Sequence, residues 1–577
     1  MNNKTSKPVS RTLSIAITGS GGSGVVTTGN MLLKVIASAG FYGLMSRSAG
    51  PQIRGGESAA MLRIGAERVN CLDDQFDILM ALDWLNVNRF AAEIPLTVDS
   101  VIICDPEAGE IPPEIAQYNA RVMEIPLKKL AQEIKGGRIN MVGLGVLGQL
   151  LQLSEADSLN VVDRILGGKG KVVVNASRQC IQAGYGAEKS LQLEHPIPQP
   201  EEGTSRWDIS GNEASGLGAL RGGVRFVAAY PITPASEILE WLAPNLEKVG
   251  GALLQAEDEL ASINMIIGAS FGGVPTLTAT SGPGLSLMME GLGLAVASET
   301  PVVVANVMRG GPSTGIPTKS EQSDLNIAIY GFHGDAPHIV LSALDIVDCA
   351  FTTEWAVYLA EALQTVAIVL SDQSLGQARS VTDPPTHPPA GPGRRTSEPD
   401  VDDYRRYQLT VDAISPMAIP GAPGGIYTAD GLEHNERGTP SSMPLDHQQQ
   451  LDKRRDKLTG YDFGEHWARI EGTGDTCILT WGSCTGAAIE AAKRLENSGK
   501  AVQVIAVRLL CPLPDKTLDG ILIGIERVLV VEQNHGGQFF HYLHSKNLLP
   551  DSARVLAQPG PLPIRPNEIV KTLTDWS

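Results

Sequence analysis

The segment VRFVAAYPITPASE, residues Val224–Glu237, indicates the fold of the middle of this chain. Its opening run is mostly apolar, as in a buried strand, and it stops at two prolines within four residues. Proline has no N–H and restricts the residue before it, so the strand cannot continue. Open α/β sheets bind ligands at the carboxyl ends of their strands. Thr233 is therefore either a hydroxyl held towards a ligand or the cap of a helix that Pro234 begins.

The rest of the chain repeats this strand and turn pattern. Its 577 residues are too many for one core and predict three or four domains of about 150 residues each. Its 62 glycines lie mostly in short clusters beside apolar runs, which favours α/β layers with tight turns. The predicted division is an α/β domain at 1–195, a linker at 196–210, a second α/β domain at 211–378, a Pro-rich connecting segment at 379–465 and a third α/β domain at 466–577. The start of the connecting segment, SVTDPPTHPPAGPGRRTSEPDVDD, has too many prolines and charges to pack a core, and the rest of it shows few periodic stretches.

Charge and cysteine content exclude several classes of function. The chain has 46 basic and 64 acidic residues, a net charge of −18, which argues against nonspecific binding to nucleic acid or to an anionic membrane. Its seven cysteines never form CxxC, so we expect no disulfide framework, zinc knuckle or iron–sulfur box. The first residues lack the apolar core of a signal peptide, and no stretch approaches the roughly 20 apolar residues of a membrane span. We expect a cytoplasmic protein.

A glycine-rich turn, GSGGSG at Gly19–Gly24, follows a predicted strand and opens a predicted helix. Its N–H groups could cradle a phosphate at the positive end of the helix dipole. It could equally be a tight strand-to-helix turn, because no acidic residue ends an obvious second strand about 20 residues later, as the dinucleotide fingerprint requires. A second loop, RSAGPQIRGGES at Arg47–Ser58, combines two arginines with glycines and could also hold an anion.

Three consecutive acidic positions precede a predicted helix of small and apolar residues in QAEDELASINMIIG. Glu257, Asp258 and Glu259 could simply favour the start of that helix. Alternatively, a carboxyl held at the edge of an apolar helix could have a raised pKa and share a proton with a ligand nitrogen. The residues alone leave both interpretations open.

The loop MRGGPSTGIPTKSEQSDL, Met308–Leu325, follows the predicted buried strand PVVVANVM. It carries Arg309 and Lys319 among glycines, prolines and hydroxyls, the side chains that an anionic substrate site needs. We therefore predict a binding role for it. The turns TWGSCTG and EQNHGGQ of the third domain also follow predicted strands and could serve packing alone.

Four of these motifs together resemble one family: YPITPASE, QAEDELAS, TATSGPG at Thr278–Gly284, and RGGPSTGIPTKSEQSDL. They are similar to the α subunits of 2-oxoacid:ferredoxin oxidoreductases, enzymes that use thiamine diphosphate and coenzyme A. GSGGSGVVT and GPQIRGGES resemble the γ subunit of that family, fused ahead of α. GLEHNERG at Gly431–Gly438 and the earlier DAISPMAIPG resemble the 2-oxoglutarate type. The resemblance implies a γ-type α/β domain, a pyrimidine-binding α/β domain and a transketolase-C-like α/β domain.

The resemblance also implies roles for individual residues. Glu259 matches the glutamate that protonates the pyrimidine ring of thiamine diphosphate, and Glu257 ranks second. Thr233 and Arg309 resemble the pair that holds the carboxylate of the 2-oxoacid, with Tyr230 beside them as a further substrate contact. Candidate cofactor contacts are Gly19, Gly21, Gly22, Gly24 and Lys319.

Some parts of the implied enzyme are missing from the sequence. We find no GDG motif followed by the asparagine of a Mg²⁺-diphosphate site, and no cysteine set for a [4Fe–4S] cluster. Both are implied to belong to a separate β subunit, in an (αβ)₂ heterotetramer that passes electrons to ferredoxin. The implied reaction converts 2-oxoglutarate and coenzyme A to succinyl-coenzyme A and CO₂, or the reverse. The alternatives are a pyruvate or branched-chain 2-oxoacid enzyme, and a noncatalytic module that binds coenzyme A or an acyl ligand.

Overall fold

The computed structural model describes residues 12–49, 56–187, 197–200, 206–316, 319–400 and 402–576. They divide into two compact units. The N-terminal unit runs to Ile209 and includes 378–384 and 565–567, and the second unit comprises 210–377, 385–564 and 568 onwards. Residues 50–55 of the predicted arginine loop lie outside the described residues.

Helices and strands alternate along most of the described chain. The strands are β1 Thr12–Ser20, β2 Tyr42–Ala49, β3 Glu57–Gly65, β4 Ile78–Ala81, β5 Val101–Cys104, β6 Arg121–Glu124, β7 Trp207–Ser210, β8 Phe226–Ala229, β9 Ala252–Gln255, β10 Thr276–Thr280, β11 Val302–Met308, β12 Ile339–Ser342, β13 Val366–Asp372, β14 Arg379–Thr382, β15 Ala468–Glu471, β16 Thr476–Thr480, β17 Val502–Val507, β18 Leu509–Cys511, β19 Arg527–Glu532 and β20 Arg554–Ala557. The α-helices are α1 Val25–Ser38, α2 Pro113–Ala116, α3 Leu127–Gln132, α4 Ile139–Leu150, α5 Glu155–Leu166, α6 Lys171–Ala187, α7 Gly211–Arg221, α8 Ser236–Leu246, α9 Glu259–Phe271, α10 Gly282–Ala297, α11 Leu325–Tyr330, α12 Asp348–Leu363, α13 Gln373–Gly376, α14 Pro444–Thr459, α15 Cys484–Asn497, α16 Asp515–Leu522, α17 Gln538–Ser545 and α18 Pro566–Thr574. Among these described helices, none has both the length and the apolar character that a bilayer crossing requires.

The N-terminal unit contains a mixed sheet of eight strands in the order β6-β5-β4-β1-β3-β2-β14-β7. Strand β1 is parallel to β4 and antiparallel to β3. The apolar side of α1 carries Leu32, Leu33 and Ile36, which are buried in one cluster with Leu13 and Ile15 of β1. The strand–turn–helix prediction for the start of the chain is confirmed.

The second unit contains two sheets. The larger has the order β18-β12-β13-β11-β10-β8-β9, parallel except for β18, which lies antiparallel to β12. The smaller has the order β15-β17-β16-β19-β20, with only β15 antiparallel. Every residue of β11 and β13 is buried, as expected of central parallel strands covered on both faces.

The connecting segment at 379–465 contributes to both units, and its first stretch, 380–403, differs at β14 from its prediction as one that packs no core. Strand β14 joins the sheet of the N-terminal unit, paired with β2. In the second unit, Arg406 and Tyr407 are completely buried. Lys453 and Lys457 of α14 are also buried and both pair with Glu299. The segment packs through satisfied charges as well as apolar side chains, which a count of prolines and charges does not reveal.

Candidate functional site

Three parallel strands of the larger sheet end beside the predicted motifs. Strand β8 ends at Ala229, and Tyr230 follows it with 40% of its surface exposed. Strand β10 ends just before α10, and β11 ends just before Arg309. Because the carboxyl ends of parallel strands share one edge of the sheet, YPITP, TSGPG and RGGPS meet at the edge that binds ligands in open α/β sheets.

Thr233 does not cap a helix. Helix α8 begins at Ser236, after the N-cap residue Ala235, and no side chain caps it. The alternative in which Pro234 starts the helix and Thr233 caps it is therefore wrong. Instead, Arg309 donates a hydrogen bond of 2.8 Å from Nη1 to the main-chain carbonyl of Thr233. The two predicted substrate residues are thus in direct contact.

A pocket of about 410 Å³ lies beside this contact. Arg309 lies in its wall with a buried Nε that has no acceptor among the described residues. Burial lowers the pKa of Arg309, and the nearby charge of Asp324 opposes that shift. An unpaired guanidinium donor in a pocket wall suits a carboxylate ligand. The pocket is lined by Gly282, Pro283, Ser286, Arg309, Gly311, Pro312, Ser313, Thr314, Ser323, Asp324 and Ile327.

Asp324 is the polar pocket residue that sequence reasoning missed. It is only 8% exposed, and its carboxyl accepts hydrogen bonds from Asn306 Nδ2 at 2.8 Å and from Ser323 Oγ at 3.1 Å. Burial raises its pKa, against the hydrogen bonds and the charge of Arg309. An aspartate directly before a helix is typical of an N-cap, so the sequence pattern alone pointed away from the pocket.

The three acidic residues before α9 have separate environments. Asp258 is the N-cap and accepts a hydrogen bond of 2.7 Å from the N–H of Ala261, whereas Glu257 is exposed. Glu259 is only 6% exposed. A methyl group on Gly284 would lie 2.5 Å from Glu259 Oε1. Glu259 is therefore the acidic residue enclosed at the start of α10.

The predicted glycine turn of the N-terminal unit is a tight turn. Gly24 is the N-cap of α1 at φ 92°, and a side chain there would overlap Asn140. The N–H and hydroxyl of Ser20 both donate to Asp83 Oδ2, at 3.0 and 2.8 Å. Gly22, at φ 97°, has open space around it. Ser20 of the turn is held by Asp83 of the same unit, and phosphate binding at the turn stays a prediction.

Lys319 is half-buried within the loop that follows β11. Its carbonyl accepts a hydrogen bond of 3.1 Å from the N–H of Gly310, which closes this loop beside Arg309. Its role as a cofactor contact also stays a prediction.

Family models cover most of the chain. Residues 217–453 match the model described as "Pyruvate flavodoxin/ferredoxin oxidoreductase, thiamine diP-bdg". Residues 14–187 match "Pyruvate ferredoxin/flavodoxin oxidoreductase", and residues 456–538 match the C-terminal domain of transketolase. The predicted architecture of three α/β domains is confirmed.

Individual proteins are similar over nearly the whole chain. The α subunit of a 2-oxoacid:ferredoxin oxidoreductase from Saccharolobus solfataricus is 30% identical, covering 91% of this chain and 92% of its own. The 2-oxoglutarate synthase subunit KorA of Archaeoglobus fulgidus is 37% identical over 57% of this chain and 88% of its own. A solved 2-oxoglutarate:ferredoxin oxidoreductase from Magnetococcus marinus, with 2-oxoglutarate, coenzyme A and succinyl-CoA bound, is 36% identical with a TM-score of 0.92, covering 98% of this chain and 100% of that one.

Proposed function

The chain belongs to the 2-oxoacid:ferredoxin oxidoreductase family as an α subunit with a γ-type N-terminal domain, and we propose that its substrate is 2-oxoglutarate. The proposed reaction oxidises 2-oxoglutarate with coenzyme A to succinyl-coenzyme A and CO₂ and reduces ferredoxin, or runs in reverse. The similarity to 2-oxoglutarate synthase subunits and to the Magnetococcus marinus enzyme supports this substrate.

The observation that carries the proposal is Arg309 in the pocket wall, with one guanidinium nitrogen on the Thr233 carbonyl and a buried Nε without an acceptor among the described residues. We assign to Arg309 the carboxylate next to the ketone of the 2-oxoacid, because a guanidinium forms strong, directional bonds to carboxylates. The Thr233 hydroxyl and Tyr230 are proposed as further contacts that orient the ketone.

Thiamine diphosphate fits the second unit, because the buried carboxyl of Glu259 lies against Gly284, where any side chain would displace it, and a carboxyl can receive a ligand N–H. When bound, the cofactor supplies the nucleophilic carbon that attacks the ketone. Glu259 is proposed to hold a proton at a nitrogen of the pyrimidine ring, a position where burial excludes competing water. Gly284 leaves room for this carboxyl at the start of α10.

We further propose that a β subunit completes the site with Mg²⁺, the diphosphate contacts and a [4Fe–4S] cluster, so that the chain is active only in an (αβ)₂ heterotetramer. The relatives are named as α subunits, which supports a partner. Exposed apolar side chains lie on α9 and α10, the helix that Glu259 begins and the helix it packs against, namely Leu260, Met265 and Leu287, at 49%, 38% and 48% exposure. We also propose that the enzyme is cytoplasmic, since it needs ferredoxin and carries only free cysteines.

Coenzyme A is the proposed acyl acceptor. Lys319 is proposed as a contact to one of its phosphates, since a lysine suits anions. Taken by itself, the turn of the N-terminal unit with Gly19, Gly21, Gly22 and Gly24 is proposed separately as an anion-binding turn, since N–H groups at a helix start suit anions. We expect Lys319→Met to raise the KM for coenzyme A without changing the KM for 2-oxoglutarate, as measured by steady-state kinetics. An equal rise in both constants would contradict the assignment.

The test of the substrate is coenzyme A-dependent reduction of a low-potential viologen by the purified α and β subunits, with each 2-oxoacid in turn. Activity only with pyruvate, the substrate in the names of two matching family models, would contradict 2-oxoglutarate.

Glu259→Gln should nearly abolish turnover while assembly with β survives. A noncatalytic module predicts instead that coenzyme A binds without β. Thr233→Ala should reduce turnover of the 2-oxoacid by more than the accompanying loss of folding stability explains.

A further inference from the structure

The loop that carries the pocket residues Ser323 and Asp324 is held by the two glycine turns of the third α/β domain. Gln322 is completely buried and donates from Nε2 to the Trp481 carbonyl at 2.8 Å. Its Oε1 accepts a hydrogen bond of 2.7 Å from the N–H of Gln533. Both partners lie in turns to which the sequence assigned no role beyond packing. These bonds connect each turn directly to the edge of the pocket.

Gln538, at the start of α17, makes hydrogen bonds on both sides of Asp324, which lines the pocket. Its Nε2 donates to the Ser323 carbonyl at 2.9 Å, and its Oε1 accepts from the N–H of Asn326, also at 2.9 Å. The Asn326 N–H lies in the first turn of α11, where N–H groups have no acceptor within their own helix. The Gln538 amide therefore caps α11 from a different domain.

Asp324 occupies the N-cap position of α11 but makes no capping hydrogen bond. An aspartate there ordinarily accepts a bond from the second or third N–H of its helix. Its carboxyl instead faces Asn306 and lines the pocket with Arg309. A methyl group on Gly282 would lie 2.8 Å from Asp324 Oδ1, so the carboxyl also packs against the start of α10.

Ser323 connects the two pocket charges through one hydroxyl. Its Oγ donates to the main-chain carbonyl of Arg309 at 2.7 Å and lies 3.1 Å from Asp324 Oδ1. A change in the backbone at residues 323–326 is therefore transmitted both to the carboxyl of Asp324 and to the segment that carries the guanidinium of Arg309.

We propose that Gln538 is a positioning residue for the substrate pocket, because it caps α11 in place of Asp324 and leaves the Asp324 carboxyl beside Arg309. Without the Gln538 amide, the carboxyl of Asp324 is free to turn towards the open N–H groups of its own helix. Arg309 then loses the neighbouring negative charge that helps to fix its guanidinium. The capping step stands on geometry alone, and the effect on 2-oxoglutarate rests on the proposed function.

Gln538→Met tests the proposal, since methionine keeps the length of the side chain and removes both hydrogen bonds. In the assembled α and β enzyme, we expect the KM for 2-oxoglutarate to rise about 10-fold or more while kcat stays within about 2-fold. In an Asp324→Asn background, the same change should add less than about 2-fold, because the two residues act in one chain of contacts. Ser154→Ala, which removes the side-chain cap of α5 in the N-terminal unit, is the matched control and should leave the KM unchanged.

Hydrogen–deuterium exchange of the peptide containing Asn326 provides a readout that needs no substrate. We expect faster exchange there in Gln538→Met and unchanged exchange in Ser154→Ala. Unchanged exchange at α11, an unchanged KM, or an undiminished effect in the Asp324→Asn background would overturn the proposal. Absence of activity with every 2-oxoacid in the unmodified enzyme would reject the proposed function, while the exchange measurement would still decide whether Gln538 caps α11.

Discussion

Replacing Gly284 with alanine places a methyl group where the Glu259 carboxyl lies. The new Cβ would stand 2.5 Å from Glu259 Oε1 and 2.6 Å from its Cγ, and would also overlap the Thr280 hydroxyl. Because real Cβ atoms essentially never approach closer than 3.0 Å, Glu259 or the start of α10 must move by about 0.5 Å or more. The displaced group is the one that we assign to the cofactor.

The expected changes in folding free energy and in kcat come from two separate effects of the added methyl group. Overpacking of a close contact costs about 1–3 kcal/mol of folding free energy. A positioned proton-transferring group contributes about 10²-fold to 10⁴-fold to a rate, and its efficiency depends on its placement. We therefore expect Gly284→Ala to reduce kcat by about 100-fold or more, with a modest decrease in the urea unfolding midpoint.

Gly293→Ala is the matched control, because it makes the same change in the same helix. Nothing lies within 4 Å of a methyl group at Gly293. Alanine is favoured over glycine inside a helix by up to about 1 kcal/mol, so this variant should keep its activity and become slightly more stable. The assay is viologen reduction with 2-oxoglutarate and coenzyme A by the α and β subunits, alongside calorimetric titration with thiamine diphosphate.

Two results would refute the reasoning. If Gly284→Ala retains more than half of the kcat, the carboxyl of Glu259 does not need its present position. If both variants lose activity equally, the loss reflects the glycine content of α10 rather than the contact with Glu259. A large effect confined to Gly284 supports the assignment.

Three further predictions concern the pocket and the buried charges. Arg309→Lys should raise the KM for 2-oxoglutarate at least about 10-fold in steady-state assays, since an ammonium group cannot reproduce the guanidinium fork. Gly282→Ala, whose methyl group would press on Asp324 Oδ1, should raise the same KM with a smaller effect on kcat, the reverse of Gly284→Ala. Glu299→Gln should cost about 3–5 kcal/mol in urea unfolding, because it leaves buried Lys453 without its anion. Burial opposes ionisation of Glu299, but Lys453 and its cationic neighbours outweigh burial and lower the pKa of Glu299. The ionised Glu299 therefore contributes its full stabilisation of the fold above pH 4.5, and this stabilisation is lost as the pH falls below that value. The Glu299→Gln variant should therefore lose less stability on acidification than the unmodified protein does.

The sheets were predictable because central parallel strands appear in the sequence as continuous apolar runs. PVVVANVM and VAIVLSD correspond to β11 and β13, in which every residue is buried. Strand β14 was not predictable in this way. It is short and pairs with β2 of the N-terminal unit, more than 300 residues away along the chain, and no local pattern encodes such a partner.

The candidate site also contains some residues that the sequence pattern predicts and others that it does not. Arg309 and Thr233 follow strand ends, so their meeting at one edge of the sheet followed from the parallel order. Glu259 could not be separated from Glu257 by composition, since their difference in exposure depends on the residue at which α9 begins. Asp324 was missed because its pattern is that of a cap, and the residue that takes over the capping, Gln538, lies in another domain.

The TSGPG turn explains how two carboxyls can be buried beside the start of one helix. Glu259 packs on Gly284 and Asp324 packs on Gly282, both in the first turn of α10. Any side chain at either glycine would displace a carboxyl, so the two glycines are required for close approach rather than for backbone flexibility. The N-terminal end of a helix also favours negative charge, which offsets part of the cost of burying these groups. Asn306 and the start of α10 hold the Asp324 carboxyl, and the buried Arg309 Nε has no acceptor among the described residues, so we expect this nitrogen to be available to a substrate carboxylate.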